Sequence, residues 1–287
     1  MSSDTPSWDD LAGSSDSDVT SSLAGEAASQ TGTSESASAK QKPVFGYWNA
    51  TRTATYGFLA ALPLFALYES LILFVNTDPS SQIRVGADLW VKQLMAVFGG
   101  TGLFALGIPV LLIGIWVFVR ERKQRPPIRA DWFGWLIGES TVYAVVVALL
   151  VSTVVGLIFA ISPGISPLMA QATNSLSTSM MLVLSIGAGL YEELIFRVVL
   201  VGGLFWLLNK TMAKSWMAYA LAAILGALLF SAVHYIGALG DPFTLASFTF
   251  RFLFGLALNA IFLARGFGVA AWTHAIYDVL VVTQILG

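Results

Sequence analysis

The chain has 287 residues, 56% of them hydrophobic and only 11% charged, with a formal net charge of −2. A soluble domain carries about a quarter charged residues, so this composition excludes a protein clothed for water throughout and points to a membrane domain with a soluble tail. No basic stripe marks a nucleic-acid partner, and the absence of cysteine removes disulfides, thiolate zinc sites and cysteine nucleophiles, leaving oxygen or activated water.

Residues 1–42 are rich in Ser, Thr, Asp, Ala and Gly, with seven acidic side chains and almost no large apolar ones. Such a segment cannot offset its ordering entropy, and it lacks the basic start and apolar stretch of a secretory signal. The reading is a disordered, acidic, Ser-rich cytoplasmic tail over residues 1–45 and a transmembrane bundle over 46–287. From Ala54 onward the sequence breaks into seven long apolar runs, 54–75, 94–119, 133–160, 178–208, 216–236, 245–264 and 267–286. Each is near the roughly 20 residues a helix needs to cross a hydrocarbon core of about 30 Å. Continuous apolar runs are not the alternating pattern of a membrane β-barrel, so the expected fold class is all-α, a polytopic membrane helical bundle of about seven transmembrane helices.

Lys and Arg gather in the loops on the cytoplasmic side. Lys40, Lys42, Arg52, Arg120, Arg122, Lys123, Arg125, Arg129, Lys210, Lys214 and Arg265 fall on one side, against Arg84 and Lys92 on the other. The expectation is a multi-pass protein of the cell membrane with its N-terminus cytoplasmic and its C-terminus outside. The first three spans carry few polar residues and the last four nearly all of them, so no transporter-like repeat stands out and chemistry belongs to the C-terminal half.

Ionisable side chains inside a span cost several kcal/mol unless paired or hydrated. The fourth span contains Tyr191-Glu192-Glu193-Leu194-Ile195-Phe196-Arg197. Glu193 and Arg197 are four apart, share a helical face and can neutralise each other. Glu192 points about 100° away from Glu193 and has no partner on its own helix, which makes it the candidate general base. A single buried ion pair would more often be a structural tie, but one arginine neutralises only one of two adjacent glutamates.

The fifth span ends in Phe230-Ser231-Ala232-Val233-His234, and the seventh contains His274-Ala275-Ile276-Tyr277-Asp278; these are the two histidines of the chain. A lone histidine on a helix is more often a satisfied polar group than a catalyst, yet both lie in spans. His274 and Asp278 share a face, where the carboxylate can fix the imidazole tautomer or join it on a metal. Glu69 in the first span and Arg251 in the sixth both fall in the outer half of the bilayer and are expected to pair, or Arg251 to reach the glutamate site. Glu139, near the cytoplasmic start of the third span, is expected to snorkel to the interface. Straight helices place His234 near the outer end of its span and His274 nearer the cytoplasmic end; a break at Gly187 and Gly189, or tilted helices around a water-filled cavity, would bring them together.

Over residues 180–285 the chain resembles the CAAX-protease and bacteriocin-processing family of intramembrane endopeptidases. Glu192-Glu193-xxx-Arg197 looks like the first family motif, Phe230-xxx-His234 the second and His274-xxx-Asp278 the third, in order and on separate spans. The resemblance implies peptide-bond hydrolysis by a water that Glu192 and His234 activate, an oxyanion stabilised by His274 and Asp278, and Glu193 orienting the site through Arg197. It also implies a peptide or membrane-protein substrate, prenylated CAAX peptides included, met in the lipid bilayer. The family commonly has Asn at the position of Asp278, and an ionised Asp cannot donate to an oxyanion. No obligate cofactor is expected; the alternative is zinc on Glu192, His234, His274 and Asp278, although the chain has no HExxH helix. Two rival readings are a proton- or ion-coupled transporter using the same polar groups as a relay, and a non-catalytic immunity or scaffold protein of the same family.

Overall fold

The computed structural model describes residues 46–76, 83–97, 103–122, 126–160, 176–237 and 240–285; the expected tail over residues 1–45 lies outside them. All regular structure among the described residues is helical. The short α1, Tyr47–Thr51, precedes α2, Ala54–Val75, whose start is capped by the Thr53 hydroxyl accepting from the Tyr56 amide. The expected second span is divided between α3, Gly86–Val97, and α4, Leu103–Glu121. Helix α5 runs Ala130–Phe159. The fourth span is α6, an α-helix over Thr178–Gly187 that continues as π-helix through Ala188–Glu192 and Leu194–Val201 and ends as α-helix over Gly202–Leu208. Then come α7, Ser215–Val233, α8, Leu245–Arg265, and α9, Phe267–Val282.

Four of these, α2, α5, α7 and α8, are single helices long and apolar enough to cross a membrane, and α9 is a shorter apolar helix. The protein is therefore a multi-pass membrane protein, all-helical among the described residues, and those residues hold four such helices; the sequence suggests about seven spans. Their outward faces carry apolar side chains that water would not tolerate in a row, Leu149, Leu150, Leu157 and Ile158 on α5 among them. At the basic end, tryptophans lie under cations, Arg120 over Trp116, Lys210 over Trp206 and Arg265 over Trp48, the amphipathic ring-and-cation girdle of a headgroup region.

Helix α9 sits at the centre, packed against α2, α5, α6 and α8. Without a hydrophobic force between helices in lipid, close backbone approach through small residues drives association. Gly268 of α9 meets Gly57 and Ala60 of α2, and a Cβ on Gly189 of α6 would lie 2.6 Å from the Ala271 carbonyl oxygen of α9. Gly187 is likewise filled by the Tyr68 ring. These glycines therefore admit neighbours rather than break α6, which runs on through its π-helical stretch.

Three charged side chains, Glu69, Arg251 and Glu139, are held by protein partners within the bundle. Glu69 does not meet Arg251: it pairs with Arg84 at 3.3 Å and Lys92 at 2.9 Å and accepts from the Tyr191 hydroxyl at 2.7 Å. Arg251 pairs instead with Asp241, only ten residues before it, because the turn after α7 folds back on α8. Glu139, expected to snorkel, is anchored at the basic end by protein partners. It accepts from the Arg265 guanidinium at 2.5 Å and the Tyr47 hydroxyl at 2.6 Å, while Arg265 also donates to the Trp48 carbonyl and the Thr51 hydroxyl. Burial and the neighbouring Glu139 carboxylate hold the Tyr47 hydroxyl protonated, well above the ordinary tyrosine range.

Candidate active site

The π-helical stretch of α6 carries the two glutamates. A π-turn adds a residue to the helical ring and re-aims the side chains around it, and such turns recur at functional sites. Here Glu193 turns toward α9 and into protein, fully buried. Its Oε1 lies 2.7 Å from Nδ1 of His274 and its Oε2 lies 3.1 Å from Nε of Arg197. The guanidinium, itself buried, lies 4.5 Å from the Phe230 ring centroid. One carboxylate thus joins the arginine on its own helix to the histidine of another.

Glu192 faces a different space. Its Oε2 is 3.8 Å from Nε2 of His234 and has no hydrogen-bond partner among the described residues. His234 follows the last residue of α7, and its Nδ1 lies 2.7 Å from the Phe230 carbonyl. A carbonyl only accepts, so Nδ1 carries the proton and the Nε2 of the neutral ring is an acceptor turned toward Glu192. The turn holding His234 is fixed from both ends. Its own carbonyl accepts from the Asp241 amide at 2.8 Å, and the Tyr235 hydroxyl donates to Ser247 of α8 at 2.8 Å and accepts from Arg251 at 3.0 Å.

His274 sits midway along α9. Its Nδ1 is engaged by Glu193, and its Nε2 lies 3.5 Å from Oδ2 of Asp278. The carboxylate that fixes this imidazole is therefore Glu193 from α6, rather than the nearer neighbour in sequence, Asp278. The depth mismatch between the two histidines does not materialise: the Phe230 ring is 4.8 Å from the His234 ring and 5.9 Å from the His274 ring.

Glu192, His234, His274 and Asp278 line one cavity of about 370 Å³. Phe230, Phe254 and Tyr277 wall it on the aromatic side, and Arg84, Asp241 and Arg251 lie along it as well. Sequence reasoning had not placed Arg84, Asp241 or Tyr277 there. Only Asp241 left a local trace, since a charge in a short turn one helical start before Arg251 is within its reach. Among the described residues no three His, Asp or Glu side chains are grouped as a metal ion would need. In both histidines Nδ1 is already taken up by protein, and their two Nε2 atoms face separate carboxylates.

No curated protein and no solved structure matches the chain. The matching family is described as Type II CAAX prenyl endopeptidase Rce1-like, over residues 174–280. That stretch runs from just before α6 nearly to the end of α9 and holds all three motifs, so the part of the chain similar to this family is the part that carries Glu192, His234, His274 and Asp278.

Proposed function

We propose that the protein is an intramembrane endopeptidase that activates water between Glu192 and His234. The observation that carries this reading is the 3.8 Å separation of two acceptors, Glu192 Oε2 and His234 Nε2, on the wall of a cavity shared with His274 and Asp278. The gap is too long for a direct hydrogen bond and suits a water that donates to both. A water so held turns its lone pairs outward to a scissile carbonyl, and its proton passes to the carboxylate as the oxygen attacks. His234 is locked in the accepting tautomer by Phe230, so its task is to place the water and share the proton.

The tetrahedral oxyanion needs donors. With Nδ1 committed to Glu193, the donor is the proton held at His274 Nε2 or on Asp278, 3.5 Å apart. Glu193 and Arg197 are positioning residues: the ion pair fixes the carboxylate, and the carboxylate fixes His274. The collapse of the intermediate returns the proton from Glu192 to the leaving amine. The Rce1-like match supports proteolysis, and no step in this sequence passes through a metal.

Replacing the base is expected to lower cleavage by about 10²–10⁴-fold. Comparative membrane proteomics of wild type against Glu192→Ala is expected to show an uncut precursor in the variant alone. Cleavage that persists in Glu192→Ala would sink the mechanism. Purified wild type is expected to keep its activity in a metal chelator, whereas activity lost there and restored by zinc overturns the metal-free assignment.

A further inference from the structure

The cavity opens at one end of the bundle. Its rim residues are Leu176 just before α6, Gln284 just after α9, Asp241 after α7, and Arg84 and Gly86 at the start of α3. All of these lie at the end where α2, α7 and α9 finish and α6 and α8 begin. From there the lining descends to Glu192, Phe230, Phe254 and His274, near the middle of their helices or, for Phe230, one turn from the end. The floor beneath is the buried Glu193–Arg197 pair.

The opposite end is the basic one. Arg52, Arg120, Arg122, Arg129, Lys210, Lys214 and Arg265 all sit there. Hydrogen bonds join these helix ends into one face: the Ala54 and Thr55 amides donate to Glu121 at the end of α4, the Arg129 amide donates to the Tyr56 hydroxyl, and Arg265 donates to Glu139 and Trp48. At the cavity end the cations are matched. Arg84 and Lys92 meet Glu69 and Asp88, and Arg251 meets Asp241. The side whose short loops carry the excess of Lys and Arg stays cytoplasmic, whatever acids accompany them.

We propose, on the protease reading above, that the cavity takes its substrate from the extracytoplasmic face, and that the substrate is the outer flank of a membrane-anchored, exported polypeptide. A lipid-modified tail carried on the cytoplasmic leaflet would meet the closed, basic end. The lining suits such a flank: Leu176, Met181, Leu184, Val281 and Val282 offer an apolar wall for a segment leaving the hydrocarbon, and the polar groups lie deeper.

The lack of cysteine makes the sidedness directly readable. Single-cysteine variants at two exposed positions, Thr283→Cys at the cavity end and Thr211→Cys at the basic end, are treated with a membrane-impermeant maleimide in intact cells. The expected result is labelling of Thr283→Cys in intact cells and of Thr211→Cys only after permeabilisation. The reverse pattern, or equal labelling of both in intact cells, overturns the proposal. A precursor accumulating in Glu192→Ala is further expected to lose its uncut segment when intact cells are shaved with an external protease; protection of that segment also overturns the proposal. Labelling needs no cleavage, so a chain that labels from outside but accumulates no precursor loses the reaction and keeps its orientation.

Discussion

Two of the groups of charged side chains inside this apolar bundle differ in stoichiometry. Around Asp88, two carboxylates meet two cations: Glu69 and Asp88 share Arg84 and Lys92 at 2.5–3.3 Å, and the Tyr68 and Tyr191 hydroxyls fill the remaining acceptors. On the cavity side the ion-pair partners of Glu192, Glu193 and Asp278 are one arginine, Arg197, and two histidines. A balanced cluster is a structural tie between α2, α3 and α6. An acidic excess in a cavity keeps a proton acceptor available, and on the function proposed above that surplus separates a site from a tie in the same membrane.

The sharpest way to break this comparison is at the pair that belongs to both categories. Glu193–Arg197 is balanced and buried, yet it orients His274. Arg197→Met leaves an uncompensated carboxylate in an apolar core, and removing one partner of such a pair costs about 3–5 kcal/mol. Thermal unfolding in detergent is expected to show that loss. Glu193→Gln with Arg197→Met is expected to regain most of the stability, since both charges then leave together, but little of the cleavage, because His274 has lost its anchor. A double variant that regains both would make the pair purely structural.

At the balanced cluster the expected effect is smaller and confined to folding. Asp88 is fully buried and accepts from Arg84 and Tyr68 at 3.1 and 2.9 Å. Asp88→Asn weakens hydrogen bonds to charged groups that are each worth about 1.5–3 kcal/mol. The unfolding temperature is expected to fall while the folded fraction keeps its cleavage. Abolished cleavage at unchanged stability would show that the cluster acts on the site through Tyr191, which it holds one residue before Glu192.

The same contrast explains what could be read beforehand. Helical character and the lone status of Glu192 were legible, because apolar run length and residue spacing within one helix are local quantities. The Glu193–Arg197 pair was legible for the same reason. Partners across helices were not. Matching charge and depth pairs Glu69 with Arg251 or sends Arg251 to the glutamate site; the chain satisfies each with a closer sequence neighbour, Arg84 on the way into α3 and Asp241 in the turn before α8, and Arg251 also lines the cavity with Glu192. The fixing of His274 by Glu193 depends on a π-helical turn of α6 and on Gly189 letting α9 approach, and neither leaves a pattern in hydrophobic periodicity.

Asp278 is the finest test of the acidic excess. Its side chain is the most exposed of the three carboxylates, at 28%, and it stands where the resembled family commonly has Asn. If its task is to donate to the oxyanion, it does so only while a proton resides on it or on His274, and wild-type activity falls as rising pH removes that proton. Asp278→Asn supplies an amide donor that does not titrate, so it is expected to retain cleavage and to flatten the alkaline side of the pH profile of kcat. Asp278→Ala removes the donor, and loss of one oxyanion donor costs about 10²–10³-fold in kcat. Should Asp278→Asn be as impaired as Asp278→Ala, the carboxylate's charge on His274 is what the reaction uses, and the oxyanion is held by His274 alone.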